Sequence, residues 1–400
     1  MTINVTKPFV PAMEKYTALL EGVFSRQILT NNGPLVSQLE AQLKEWLGVD
    51  RLSYVANGTI ALQMSMRALG LKGDVITTPF SFVATTSSIV WEGCRPVMAD
   101  IDPHTLNIDP DQIRRAITRN TTGILATHVY GNPCDVEAIE QIAHEYDLKV
   151  IYDAAHGFGT TVKGRSIFSY GDIAATSFHA TKLFHTVEGG AVFASDPIVH
   201  ERLLAMRNFG IVGDQITCVG LNGKNSEFHA AMGLANLDSI GEILASRKAL
   251  SERYDDRLEG TGVRRPLIHA DCDYNHAYYP VIFDSEATLL RVRDALQRED
   301  VFPRRYFYPS LSTLDFIEQQ HTPVANDIAC RVLALPLFHG LAYEDLDRIA
   351  RIVARECMPR TVSISAILRP QPAIVDVPFM GTPSANGMDP SITGTGLQSA

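Results

Sequence analysis

At 400 residues the chain is long for one ordinary core, and about two to three domains are expected. With 46% hydrophobic and 20% charged residues, and no apolar run near the roughly 18 residues of a membrane span, it reads as a globular protein without a membrane anchor. A net charge of −10 disfavours nucleic acid and anionic membranes as partners and shifts weight to small-molecule chemistry.

The N-terminal segment, MTINVTKPFVPAMEKY, has no basic stretch followed by an apolar core, so no secretory signal is expected and the chain is placed in the cytoplasm. The six cysteines (Cys94, Cys134, Cys218, Cys272, Cys330 and Cys357) contain no CxxC pair. Reduced thiols are expected, with neither a disulfide framework nor a metal site. Thr30 and Asn31, in the LTNNGP loop, are candidates for the border of a substrate site, although a simple turn before a helix near Pro34 looks the same.

From residue 50 to 195, β-branched runs alternate with helical patterns: SYVA at 53–56, VITT at 75–78, PVMA at 96–99, GILATHV at 123–129, KVIYD at 149–153 and AVFAS at 191–195. That alternation predicts an α/β domain with a mostly parallel sheet between helices. Between two of these runs, DVEAIEQIAHEY at 135–146 opens on an acidic cap and spaces Val136, Ile139, Ile142 and Ala143 as a crossover helix. Open α/β sheets bind ligands beyond the carboxyl ends of their strands. Asn57, Phe82, His128, Asp153 and Ser177 are the positions to examine.

Gly58 and Thr59 follow a strand and open a helix, so free N–H groups there suit a phosphate, although a plain capping turn would read alike. Phe82 could offer a flat face to an aromatic ring, and core packing is its commoner role. Asp153, before two small alanines, could pair with a buried cation such as a pyridinium nitrogen. Helix capping is its ordinary alternative, and for His156 it is a structural hydrogen bond.

Lys182 stands in AATSFHATKLFHTVEGG, where the nearest charged residues in sequence are Asp172 and Glu188. A lysine kept partly desolvated holds a free amine that can attack a carbonyl to form a Schiff base. A snorkelling lysine at a strand end is the bland alternative. The four features occur in order, each beside a predicted strand end, and that concurrence favours function.

Beyond Ser226–Leu258, read as one long helical pattern, the strand-like YYPVIF at 278–283 and the helical TLLRVRDALQRED at 288–300 predict a second, smaller α/β domain. Its last helix is expected at Tyr343–Arg355. The divisions are 1–240 with an N-terminal arm, 241–360, and a flexible tail rich in Pro, Gly, Ser and Thr over 361–400. Arg304 and Arg305 are candidates for a diphosphate or a carboxylate, with exposed ion pairs as the alternative.

The chain resembles the fold-type I pyridoxal phosphate (PLP) enzymes and, more narrowly, the DegT/DnrJ/EryC1/StrS sugar aminotransferases. NGT at 57–59, PFSFVAT at 79–85, PVMADIDPHTLNID at 96–109, DAAH at 153–156, SFHATK at 177–182 and EGG at 188–190 carry the likeness, with LTNNGP at 29–34 and LNGKNSEFHAAMG at 221–233. The resemblance spans roughly residues 5–360. It implies that Lys182 holds PLP and shuttles the proton, Asp153 pairs with the ring nitrogen, His156 approaches the phenolic oxygen and Phe82 stacks on the ring. Gly58, Thr59 and Ser177 would bind the phosphate. Asn222 would reach in from a neighbouring subunit, which implies a homodimer with shared active sites.

The implied reaction moves an amino group from L-glutamate to a nucleotide-linked keto sugar through pyridoxamine phosphate, as in deoxyamino sugar biosynthesis for lipopolysaccharide O-antigen. Many relatives carry Gln at the position of His156, and an aromatic, Arg and Met at those of Gly223, Lys224 and Asn225. LFHTVEGG, with His185 as a further substrate-side candidate, looks closest to the viosamine type that aminates dTDP-4-keto-6-deoxy-D-glucose. Three other readings are weighed: a 3-keto sugar aminotransferase, a sensor that keeps the fold without turnover, and a dehydratase in which histidine replaces the lysine, against which Lys182 argues directly.

Overall fold

The computed structural model describes residues 2–358. Seven strands make the central sheet: β1 Leu52–Val55, β2 Asp74–Thr77, β3 Arg95–Met98, β4 Thr121–Thr127, β5 Lys149–Asp153, β6 Ile173–Ser177 and β7 Gly190–Ala194. Their order is β1-β7-β6-β5-β4-β2-β3. Only β7 runs antiparallel to its neighbours β1 and β6, and the remaining pairs are parallel. The mostly parallel sheet expected from the alternating runs is therefore present.

Helices cover both faces, which is why β1, β2 and β7 read as continuous buried runs rather than alternating ones. On one face the helix Gly58–Leu69 packs Ala61, Leu62 and Met64 against Val55, Ile151, Ala175 and Val192. On the other, Leu39 and Leu43 of the helix Pro34–Leu47 and Ile139 of the helix Val136–Tyr146 share a core with Tyr152, Phe178 and Phe193. Strand β6, IAATS, is poor in β-branched residues and was not among the predicted runs. Ala175 is small on the face where the helix Gly58–Leu69 lies close against the strand, and Ala174 points to the opposite core.

A second core forms around β8 Tyr279–Ile282, antiparallel to β9 Val332–Leu335. Tyr254, Val281, Leu289, Val292, Leu333, Ile349 and Val353 fill it, from these strands and the helices Ile240–Leu258, Glu286–Gln297 and Tyr343–Cys357. Ile3 joins this core through a short parallel pairing with Val301, while Phe9, Tyr16 and Val23 further along the N-terminal segment pack with the core of the sheet. The single helix expected over 226–258 is two, Glu227–Leu237 and Ile240–Leu258. The break falls at Asp238 and Ser239, residue types of low helix propensity. The predicted tail from residue 361 lies outside the described residues.

Candidate active site

The carboxyl ends of β1, β5 and β6 and the loops beyond them open on a cavity of about 510 Å³, ample for a cofactor and part of a substrate. Gly58, Thr59, Phe82, Asp153, His156, Ser177, Lys182 and Arg304 all line it. Eight of the sequence-derived candidates are thus brought to one place.

Asp153 ends β5 with 6% of its surface exposed. Its Oδ2 accepts the Thr85 hydroxyl at 2.7 Å and its Oδ1 the Ala155 N–H at 3.1 Å. No helix begins there, so the capping alternative falls. Thr85 belongs to a chain of buried hydroxyls, 2.8 Å from Ser81, which accepts from Thr127 at 3.0 Å. Burial pushes the Asp153 carboxyl up, while the bonds from Thr85 and Ala155 and the charge of Lys182 pull it back.

Lys182 sits in the loop from β6 to β7, its N–H donating to His179 C=O at 2.9 Å. Two glycines make that loop possible. A Cβ at Gly189 would fall 2.1 Å from the Thr186 hydroxyl, and one at Gly190 would fall 2.6 Å from the Asn57 carbonyl carbon. Burial lowers the Lys182 amine below the ordinary lysine range, opposed first by Asp153 and then by Tyr306. Its nearest charges in sequence, Asp172 and Glu188, are not the groups that govern it.

At the opposite end, Asn57 caps the helix Gly58–Leu69 by accepting the Ile60 N–H at 2.9 Å. The N–H groups of Gly58 and Thr59 precede the first intrahelical bond and remain for an anion. Gly58 lies so close to β6 that a Cβ there would be 2.9 Å from that of Ser177. A cradle of two N–H groups and one hydroxyl results. Phe82, at the start of the helix Val83–Trp91, leaves 56% of its surface exposed and turns a ring to the cavity.

His156 is buried, and its Nδ1 has no hydrogen-bond partner among the described residues. Burial, then the charge of Lys182, holds the imidazole well below its usual range, so it is neutral. Tyr278 tilts against it at 4.6 Å and Phe307 lies parallel at 5.8 Å. Tyr278, Tyr306 and Phe307 pack in a separate cluster with Phe80 and Tyr130 and complete the wall with Arg304. His179 and Glu188 also line the cavity and face one another at 3.6 Å.

Other candidates stand elsewhere. Arg305 points away and donates to Glu286 Oε1 at 2.7 Å and to the Cys330 carbonyl at 2.9 Å, so it anchors the loop that carries Arg304 and Tyr306. His185 is buried, its Nε2 2.7 Å from the Phe9 carbonyl, and holds the N-terminal segment. Thr30 and Asn31 are exposed on a turn in which Asn31 has φ 64, and Asn222 bridges to Asn208 outside the cavity. His128 is buried against Tyr152, its Nδ1 accepting the Cys134 N–H. The residues missed from sequence are the hydroxyl relay Thr127–Ser81–Thr85 and the aromatics Tyr278, Tyr306 and Phe307. The aromatic run YFYPS was the one available signal for the last two. Among the described residues no group of His, Cys, Asp and Glu side chains could hold a metal ion, and no helix is long and apolar enough to cross a membrane.

A buried lysine amine, a buried and hydrogen-bonded carboxyl, a neutral imidazole, an exposed aromatic face and an anion cradle around one cavity fit an aromatic aldehyde that bears a ring nitrogen and a phosphate. Known proteins agree. The chain is 42% identical over 359 residues to a dTDP-4-amino-4,6-dideoxy-D-glucose transaminase of Shigella dysenteriae, covering 88% of this chain and 98% of that protein. It is 37% identical to the Escherichia coli enzyme of the same description, with the same coverage. A crystal structure of DesI in the presence of its TDP-sugar product superposes with a TM-score of 0.85 at 34% identity, over 92% of this chain and 95% of that one. Residues 12–354 match a single family along nearly the whole described length, and the chain belongs to the DegT/DnrJ/EryC1/StrS aminotransferase family.

Proposed function

We propose that this protein transfers the amino group of L-glutamate to dTDP-4-keto-6-deoxy-D-glucose, giving dTDP-4-amino-4,6-dideoxy-D-glucose, with PLP as its cofactor. The observation that carries the reading is the cavity placing Lys182 opposite Asp153, with the Gly58 cradle at one end. The relatives described above by that product support the choice of sugar.

PLP, when bound, serves as an electron sink that lets an amino group pass between carbons. Lys182 is the residue to hold it covalently, and its lowered pKa keeps the amine available. Asp153 would face the ring nitrogen and keep it protonated. Phe82 would cover one ring face. The N–H groups of Gly58 and Thr59 and the Ser177 hydroxyl would take the phosphate, and neutral His156 would meet the phenolic oxygen. The Lys182 amine, once free, is the base and acid that moves a proton at the reacting carbon. Arg304, whose guanidinium lies 5.3 Å from the Tyr306 ring centroid, would receive an anionic part of either substrate.

A homodimer with shared sites is part of the proposal. Asn222 stays outside the cavity of its own chain, and large apolar side chains, among them Trp91 at 81% and Ile216 at 79%, are exposed nearby in sequence to Phe82 and Asn222. The six cysteines are all free thiols, which fits a reducing cytoplasm.

The test is to load the protein with PLP, add glutamate, remove the amino acid and supply dTDP-4-keto-6-deoxy-D-glucose. NMR of the product should show nitrogen on carbon 4. Nitrogen on carbon 3 of the 3-keto isomer, or transfer only between free amino acids, would overturn the assignment.

A further inference from the structure

An amine that must repeatedly gain and lose a proton inside a cavity needs a partner open to that cavity. The ionisable groups around Lys182 are Asp153, His156 and Tyr306, with Arg304 and Tyr278 beside the last. Asp153 is buried, with both oxygens engaged by Thr85 and Ala155. His156 and Tyr278 are buried, and a guanidinium does not give up its proton near neutrality. His179 and Glu188 face each other at the rim.

Tyr306 differs from all of these. It is half-buried, lines the cavity, and its hydroxyl has no hydrogen-bond partner among the described residues. Its place is nevertheless fixed. The Tyr130 hydroxyl donates to its main-chain oxygen, its ring stands edge-on to Tyr278 at 5.6 Å, and Arg305 next to it is tied to Glu286. Amine and phenol each shift the other's ionisation, so the two share one electrostatic neighbourhood.

We propose that Tyr306 is a catalytic residue, the proton relay of Lys182, a role that rests on the transamination reading above. In one concerted step its phenol oxygen takes, through one intervening water, a proton from the Lys182 ammonium while its own O–H proton passes to solvent at the cavity mouth. One proton enters the phenol as one leaves. The reverse step recharges the amine, and no free phenolate is required.

The experiment uses the full chain, first without cofactor. Reductive methylation of Lys182 by formaldehyde and cyanoborohydride is followed by mass spectrometry in H₂O and D₂O, with exposed Lys72 as the internal standard. Tyr306→Phe keeps the ring contacts and the main-chain oxygen that Tyr130 uses, so it is expected to fold. In this variant Lys182 should react several-fold more slowly and lose its solvent isotope effect, whereas Tyr278→Phe should retain both. In the PLP-loaded protein the glutamate half-reaction of Tyr306→Phe should slow by roughly a hundredfold with KM unchanged. Wild-type methylation and isotope effect in Tyr306→Phe overturn the relay. If the wild type transfers nitrogen to no sugar nucleotide while Tyr306→Phe still loses Lys182 reactivity, the relay stands and the sugar assignment falls.

Discussion

The Thr85 hydroxyl donates to Oδ2 of Asp153 at 2.7 Å, across the cavity floor from the strand that carries the carboxylate. That bond opposes the burial that pushes the Asp153 carboxyl up. Thr85→Val keeps the shape and removes the donor, so the carboxyl should rise further. A carboxylate must be ionised to hold a protonated ring nitrogen, so PLP affinity falls as pH drops through the carboxyl's titration. In Thr85→Val that fall should begin at a higher pH. A hydrogen bond to a charged group contributes about 1.5–3 kcal/mol, or roughly 10- to 100-fold in PLP affinity. Absorbance titrations with PLP across pH check this, and equal affinities at every pH would refute it.

Lys182 should leave a mark on stability without any cofactor. Its folded pKa is lowered by burial, so the unfolded chain binds more protons over the range between that value and the ordinary lysine value of about 10.4. Stability of the cofactor-free protein should therefore rise with pH in that window. Lys182→Met should flatten the rise and match or exceed the wild-type Tm at neutral pH, while amino transfer falls by orders of magnitude. Thermal unfolding at a series of pH values decides the matter, since an unchanged slope in the variant would show that the amine is solvated.

How much of this was readable in advance depends on where each residue sits. Gly58, Phe82 and Asp153 adjoin strands whose apolar runs announce themselves, so that part of the cavity floor was legible. Strand β6 was hidden because its two central positions are alanines, of which Ala175 lies under the helix Gly58–Leu69. Tyr306 and Phe307 were not legible as site residues, because packing with Phe80 and Tyr130 brings them to the cavity from far along the chain. Arg304 and Arg305 are adjacent and chemically identical, yet one faces the cavity and the other an ion pair. Only the turn of the backbone between them separates their roles. His185 lies close to Lys182 in sequence but packs beneath the N-terminal segment.

The Gly58 cradle makes a steric prediction. A Cβ at position 58 would sit 2.9 Å from Ser177 Cβ and 3.3 Å from its Cα, so Gly58→Ala must push the helix start away from β6. The fold should survive, with a stability loss of about 1–3 kcal/mol from overpacking. Phosphate recognition should suffer more. PLP should bind at least about tenfold more weakly, which corresponds to ~1.4 kcal/mol, while pyridoxal, lacking the phosphate, should bind as it does to the wild type. Parallel titrations with the two aldehydes test this, and equal losses for both would mean that the cradle is not the phosphate site.

Asp100 ties the end of β3 to the helix Pro323–Arg331. Its oxygens accept the N–H groups of Val324 and Ala325 at 2.9 Å each, at the start of the helix Pro323–Arg331, whose own Thr322 supplies no side-chain cap. A carboxylate placed just beyond β3 therefore does the capping from a distant part of the chain, with the helix dipole in its favour. Asp100→Ala should leave the N–H groups of Ile101, Val324 and Ala325 unpaired and cost about 1–3 kcal/mol in urea unfolding. Asp100→Asn should cost less, because an amide oxygen can still accept from one of them. The effect should also travel. The other end of that helix offers the Ala329 and Cys330 carbonyls to Arg305, the anchor of the loop that carries Arg304 and Tyr306. Hydrogen exchange over residues 303–309 should accordingly quicken in Asp100→Ala, and turnover should fall without loss of PLP binding. A stability change within about 0.5 kcal/mol, with unaltered exchange in that loop, would show that Asp100 does not hold this helix.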